Sequence, residues 1–339
     1  MTSSGTFKTS WNKIRWVALI LGLVLLYNWF FTPGFFKIEL KSGHLYGSLI
    51  DIVDRAAPVL LLSLGMTLVI ATGGVDLSVG AIMAIVGALA AKLITGPQYG
   101  FLVVLLVALG AGLAMGLWNG ALVCFLGVQP IVATLILMVA GRGIAQLITG
   151  GQIITFENPA FNFLAGGYFV GVPFTFTIVL AALILTTVLV RKTALGLFIE
   201  AVGDNEKASF FSGINTRFIK CLAYGASGFF SACAGLIAAS DIKAADANNA
   251  GIFLELDAIL AVVLGGTALT GGRFYLFNSM VGAILIQTLT TTILTRGIAV
   301  ELTLVVKAAI ILIVCLAQSE KFRALLLRPF SKPTHAAHS

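Results

Sequence analysis

Residues 56–95 read AAPVLLLSLGMTLVIATGGVDLSVGAIMAIVGALAAKLIT, forty positions of which only Asp76 and Lys92 carry charge. Two apolar runs, 56–72 and 79–95, flank the sequence Gly73-Gly74-Val75-Asp76-Leu77-Ser78. Each run approaches the ~20 apolar residues that a helix needs to cross a bilayer, and neither alternates as a half-buried strand does. The paired glycines permit backbone that other residues avoid. The stretch therefore predicts membrane helices interrupted at a glycine pair.

The rest of the chain repeats this pattern. Of 339 residues, 59% are hydrophobic and 10% charged, where a soluble domain carries about 25% charged residues. Further apolar runs lie near 16–31, 101–126, 130–149, 174–190, 218–239, 253–265, 276–293 and 302–317. Together they predict an all-α polytopic bundle of about ten spans. It forms one domain: an N-terminus at 1–14, the bundle at 15–318 with a polar loop at 191–215, and a tail at 319–339. A soluble enzyme, a disordered chain and a disulfide-stapled domain are excluded. The 37 glycines suit close helix packing in lipid.

The net charge of +7 reflects short basic clusters between apolar runs, not a nucleic-acid face. Lys8, Lys13, Arg15, Arg191, Lys192, Lys207, Arg217, Lys220, Arg273, Lys321, Arg323, Arg328 and Lys332 fall on one side. Lys37, Lys41, Arg55, Lys92, Lys243 and Arg296 fall on the other. The positive-inside rule then predicts both termini in the cytoplasm. Thr32-Pro33-Gly34 after the first run is no small-x-small cleavage site, so that run reads as an uncleaved span. Cys124, Cys221, Cys233 and Cys315 form no CxxC pair and read as small apolar residues.

An internal echo relates Gly73–Gly80 to Gly265–Gly272, both GGxxLxxG, each followed by Val-Gly-Ala (Val86-Gly87-Ala88 and Val281-Gly282-Ala283). Transporters often place unwound backbone at paired positions beside the substrate. Gly73, Gly74, Gly265 and Gly266, with Asp76 and Ser78, are thus candidates for a translocation path, against a mere packing role. Arg142, Glu255, Asp257 and Lys307 also lie within or at the ends of apolar runs. They read either as ion pairs, Asp257 and Lys307 with each other for instance, or as groups facing water.

No phosphate-cradling GxxxxGK[ST] loop is present, and HExxH and GxSxG are missing. The sequence therefore assigns this chain no catalytic residue, metal or cofactor. Leu195, Phe198, Ile199 and Val202 recur at helical spacing up to Gly203, which predicts a short amphipathic helix, interfacial or docked on a partner.

Gly65–Gly80 resembles the signature of the ribose/galactose/xylose-type permeases of bacterial ATP-binding-cassette importers. Val132-Ala133-Thr134-Leu135 with Arg142-Gly143, Thr193-Ala194-Leu195-Gly196, and Glu255-Leu256-Asp257-Ala258-Ile259 agree with it. Within that family the chain is most similar to the galactofuranose type, on Leu135–Gly143, Thr193–Val202 and Ala245–Gly251. It departs from the ribose type at Thr290-Thr291-Thr292-Ile293-Leu294. The resemblance implies a non-catalytic subunit of the bacterial inner membrane. It also implies a separate cytoplasmic ATPase that uses ATP-Mg, a periplasmic sugar-binding protein and a second permease subunit. Asn119, Gln129 and Thr134 join Asp76 and Ser78 as polar candidates for a sugar path. Leu195, Phe198, Ile199, Glu200, Val202, Gly203 and Asp204 become the expected ATPase-coupling segment. A permease for a pentose, autoinducer-2 or a nucleoside stays open, as does a self-sufficient secondary transporter or channel.

Overall fold

A computed structural model describes residues 3–41, 43–96 and 99–318; the expected tail 319–339 lies outside them. Thirteen helices are found among the described residues. They are α1 (Ser3–Phe31), α2 (Ser48–Ala71), α3 (Val79–Thr95), α4 (Phe101–Cys124), α5 (Pro130–Thr149), α6 (Pro159–Gly166) and α7 (Phe174–Lys192), followed by α8 (Leu195–Asp204), α9 (Glu206–Phe211), α10 (Thr216–Ile242), α11 (Leu254–Leu264), α12 (Leu276–Thr295) and α13 (Val300–Gln318). Short antiparallel ribbons pair β1 (Glu39–Lys41) with β2 (His44–Tyr46), β3 (Ile154–Thr155) with β6 (Ala244–Ala245), and β4 (Tyr168–Phe169) with β5 (Val172–Pro173).

Local chemistry sets the boundaries. Pro130 opens α5, where a missing N–H costs nothing. The Asn215 side chain caps α10 by accepting from the Phe218 N–H at 3.1 Å. Gly73, at φ +80°, turns the chain away after α2. The bundle has two ends. At the hairpin end, α2 and α7 begin and α10 and α12 finish; at the α8 end, α2 and α11 finish and α10 and α12 begin.

The core lies where α2, α3 and α10 meet, and α3 is buried almost throughout. The face of α4 turned to α10 carries Val104, Ala108, Gly112, Gly116 and Gly120, each four residues on from the last. A Cβ on Gly116 would lie 2.3 Å from the Tyr224 carbonyl oxygen, and one on Gly228 would lie 2.2 Å from that of Gly112. Backbones at this separation exclude every side chain, which is the small-residue seam of close-packed membrane helices. The opposite face of α4, with Leu102, Leu106 and Trp118, is exposed and apolar, as a lipid-facing surface requires.

Among the described residues seven helices are long and apolar enough to cross a membrane: α1, α2, α4, α5, α7, α10 and α12. The expected number was about ten. α3 and residues 302–313 of α13 are shorter apolar helices. α11, at 11 residues, rises about 17 Å, roughly half of a ~30 Å hydrocarbon core. The run 253–265 is short because a non-helical strap, residues 243–253, precedes it: the two residues of β6 and then a series of tight turns. Left-handed residues bound the strap: Lys243 at φ 51° and Phe253 at φ 64°.

Candidate functional site

The two GGxxLxxG segments are connections between helices, α2 to α3 and α11 to α12, and they meet at the α8 end. The Gly272 N–H donates to the Ala71 carbonyl at 2.9 Å. A Cβ on Gly271 would lie 2.8 Å from the backbone nitrogen of Gly73 and 2.8 Å from the carbonyl oxygen of Gly203. Gly203, near the end of α8, closes the joint: its Cβ would lie 1.8 Å from the Ala71 oxygen and 2.4 Å from the Gly272 nitrogen. The amphipathic helix and both glycine segments thus touch through backbone alone.

This arrangement overturns one expectation. Ile199 and Val202 sit in the bundle core, with Leu195 and Phe198 packed on it. The apolar face of α8 is therefore covered by its own chain and is not offered to a partner. Glu200 faces Arg191 of the same chain at 3.9 Å. α8 and α9 expose Leu197, Asp204, Glu206, Lys207, Ala208, Phe210 and Phe211.

Four of the expected path residues gather around the first glycine segment. The Asp76 carboxylate accepts from the Ser78 N–H at 3.0 Å, the Ser78 hydroxyl at 2.6 Å and the Ser227 hydroxyl at 2.8 Å. Asn119 Nδ2 donates to Ser78 Oγ at 2.8 Å, and Thr134 Oγ1 lies 3.4 Å from the Val75 carbonyl. All four side chains are fully buried. Gln129 stays apart and exposed, before α5; Gly73 is exposed, whereas Gly74 and Gly265 are buried and Gly266 half-buried.

Three of the four charges expected at membrane depth, Asp257, Lys307 and Arg142, are partnered. Lys307 Nζ lies 2.9 Å from Asp257 Oδ2, joining α13 to α11, with both side chains largely buried. Replacing Lys307 with Met strands the carboxylate and is expected to cost about 3–5 kcal/mol, whereas Lys307→Met with Asp257→Leu recovers most of it. Thermal melting of the two purified variants checks this. A double variant no more stable than the single one counts against a mutual pair. Arg142, half-buried on α5, donates to two carbonyls of the strap.

A cavity with a polar wall lies elsewhere, toward the hairpin end. A cavity of about 580 Å³ is bounded by α2, α3, α10, α12 and the strap, within the size range of small-ligand sites. Its polar wall holds Asp54, Arg55, Thr175, Asp241, Asp246, Asn249, Gln287 and Thr290; Met83, Ala84, Gly87 and Gly235 line its apolar part. Thr175 donates its hydroxyl to Asp54. Asp246 accepts from the backbone N–H groups of Asn248 and Asn249 and from the Asn249 side chain at 2.8 Å. Carboxylates, amides and hydroxyls in one cavity suit a neutral polyhydroxyl solute, because each can accept from a hydroxyl group.

None of the expected path residues lines this cavity. The sequence reading missed Asp54, Asp241, Asp246, Asn249 and Gln287. For Gln287 the signal was available: it is a polar side chain inside the run 276–293, and intramembrane polarity marks function. Asp54 and Asp241 sit at the edges of their runs, where a charge looks like ordinary flanking sequence.

Comparison with known proteins places this geometry. Residues 48–315 match the family model described as branched-chain amino acid transport system / permease component. The chain is 53% identical over 322 residues to the galactofuranose transporter permease protein YtfT of Escherichia coli (strain K12), covering 93% of this chain and 94% of that one. It is 41% identical to the fructose import permease protein FruF of Bifidobacterium longum, over 93% and 90% of the two chains. It is 34% identical to the ribose import permease protein RbsC of Haemophilus influenzae, over 93% and 94%. No solved structure matches the chain.

Proposed function

The chain belongs to the family of permease components of branched-chain amino acid transport systems, and from that membership we propose that it is the membrane-spanning permease of an ATP-binding-cassette importer that carries a monosaccharide, galactofuranose first, across the bacterial inner membrane. The cavity toward the hairpin end carries this reading: its carboxylates, amides and hydroxyls would receive the sugar from outside. The 53% identity to a galactofuranose permease supports the sugar, and the fructose and ribose relatives name the competitors.

In this reading the hairpin end is periplasmic, where a sugar-binding protein docks, and the α8 end is cytoplasmic. The strap and α11 together make one crossing. With α3 and α13 that brings the total to ten, with both termini inside. The chain hydrolyses no ATP and binds no cofactor. A separate ATPase using ATP-Mg docks on the exposed side of α8 and α9, at Leu197, Asp204, Phe210 and Phe211. A second permease subunit and lipid cover the apolar outer faces of α4 and α5.

The test is uptake into vesicles that hold the permease with its ATPase and binding protein. Radiolabelled galactofuranose is expected to accumulate only with ATP, and to be displaced by excess galactofuranose better than by fructose or ribose. Uptake without any ATPase would establish a secondary transporter instead. Asp241→Ala and Asn249→Ala each remove a hydroxyl partner and are expected to lower uptake about two- to tenfold, the worth of a hydrogen bond. Unchanged uptake in both would remove the cavity from the path.

A further inference from the structure

The strap that lines the cavity is held from one side. Arg142 Nη1 donates to the Ala250 carbonyl at 2.5 Å and lies 3.3 Å from that of Ala247. One turn further along α5, Gln146 Nε2 donates to Asn248 Oδ1 at 2.8 Å. Directly after Ala250, Gly251 crosses Gly80 of α3 backbone against backbone. A Cβ on Gly80 would lie 2.3 Å from the Gly251 oxygen, and one on Gly251 would lie 2.6 Å from the Gly80 oxygen. Gly80 is one turn nearer the α8 end than Met83 and Ala84 of the cavity wall, so this crossing shuts the cavity from below.

Beside the crossing sits Glu255. Its Oε2 lies 2.6 Å from where a Gly80 Cβ would be. That oxygen is buried and has no hydrogen-bond partner among the described residues. Glu255 and the Gly251 carbonyl both crowd Gly80, and Arg142 holds the carbonyl of the preceding residue, Ala250. A buried carboxylate oxygen left unpaired is costly, and the donor that would satisfy it is engaged nearby on the strap.

We propose that Arg142 is the latch of the cavity floor: bonded to the strap carbonyls it holds Gly251 against Gly80, and on turning to Glu255 it frees the strap so that the sugar can pass between them. The inference rests on the import reading above. Two discrete partners for one guanidinium give the bistability that a gate needs. Gly80 and Gly251 leave room for passage, because neither adds a side chain to the gap. Arg142 and Glu255 are positioning residues; neither lines the cavity.

Complexes carrying Arg142→Gln, Glu255→Gln or both, reconstituted in vesicles, test the latch by two readouts. One is ATP-driven uptake of radiolabelled D-galactose; the other is ATP-independent efflux of the same sugar trapped inside. Arg142→Gln unlatches the floor and is expected to raise efflux about tenfold, whereas Glu255→Gln leaves efflux at the wild-type level and cuts uptake about tenfold. The double variant is expected to leak like Arg142→Gln alone. A merely structural pair predicts that the two single variants behave alike; that result, or wild-type uptake and efflux in both, overturns the latch. Where Arg142→Gln fails to reach the membrane, Arg142→Lys replaces it with the same expected leak, because lysine keeps the charge but not the planar fork. Absence of ATP-driven D-galactose uptake by the wild-type complex counts against the import reading. The efflux arm needs no ATP and still decides the latch.

Discussion

Gly203→Ala is expected to abolish sugar uptake by the assembled importer. The new Cβ would lie 1.8 Å from the Ala71 carbonyl oxygen, so α8 and the end of α2 must part by about 1.5 Å or more to reach ordinary contact. Overpacking usually costs about 1–3 kcal/mol because side chains give way. Here both displaced groups are backbone, and the Gly272 N–H, bonded to the same oxygen at 2.9 Å, moves with them. The joint therefore opens, and motion of α8 no longer reaches the glycine segments. Uptake and ATP hydrolysis measured on the same vesicles check this, with uptake down at least about tenfold and hydrolysis no longer raised by the loaded binding protein. Gly143→Ala, on open helix surface with nothing within 4 Å of its Cβ, serves as the control and should match wild type. Normal uptake by Gly203→Ala would show that force passes elsewhere.

Asp76→Ala is expected to remove most of the stability of the fold. Three donors converge on this carboxylate, two of them from Ser78, and the site is fully buried. Alanine orphans all three at about 1–3 kcal/mol each, with partial relief as the hydroxyls turn to other acceptors. Asp76→Asn keeps the shape and one acceptor oxygen, and its amide can donate to the Ser227 hydroxyl, so it is expected to fold with a modest loss. Thermal melting in detergent separates the two. If Asp76→Ala melts with the wild type, the network carries no load. If Asp76→Asn folds normally yet transports nothing, the charge itself has a role beyond holding the segment.

The helices were legible in the sequence because lipid leaves few alternatives: apolar runs of this length must close their own backbone hydrogen bonds. All ten apolar runs coincide with a helix, and Asp257 meets Lys307. The sequence misled where depth mattered. The run 253–265 looks like its neighbours, yet it is half a crossing, because composition does not reveal that residues 243–253 are a short strand and turns rather than helix. Asp76 drew notice as a charge beside glycines, but the donors that converge on it, Ser78 and the distant Ser227, could not be read from the run itself. For α8 the periodicity of Leu195, Phe198, Ile199 and Val202 located an apolar face correctly. Periodicity is silent on what covers that face, and the cover proved to be the bundle itself.

The seam between α4 and α10 bears on how such a protein changes shape. Helices that interlock through bare backbone have no rotamers with which to absorb sliding, so relative motion would separate them outright. α3 is fastened to α10 in the same manner, since a Cβ on Gly235 would lie 2.7 Å from the Met83 oxygen. The three helices α3, α4 and α10 therefore form a stator. Whatever alternates during a transport cycle is left to the parts tied by polar side chains: α5, tied to the strap by Arg142 and Gln146, and α13, tied to α11 by Lys307. Those contacts can be exchanged one at a time, so the moving parts can change partners while the frame keeps its shape.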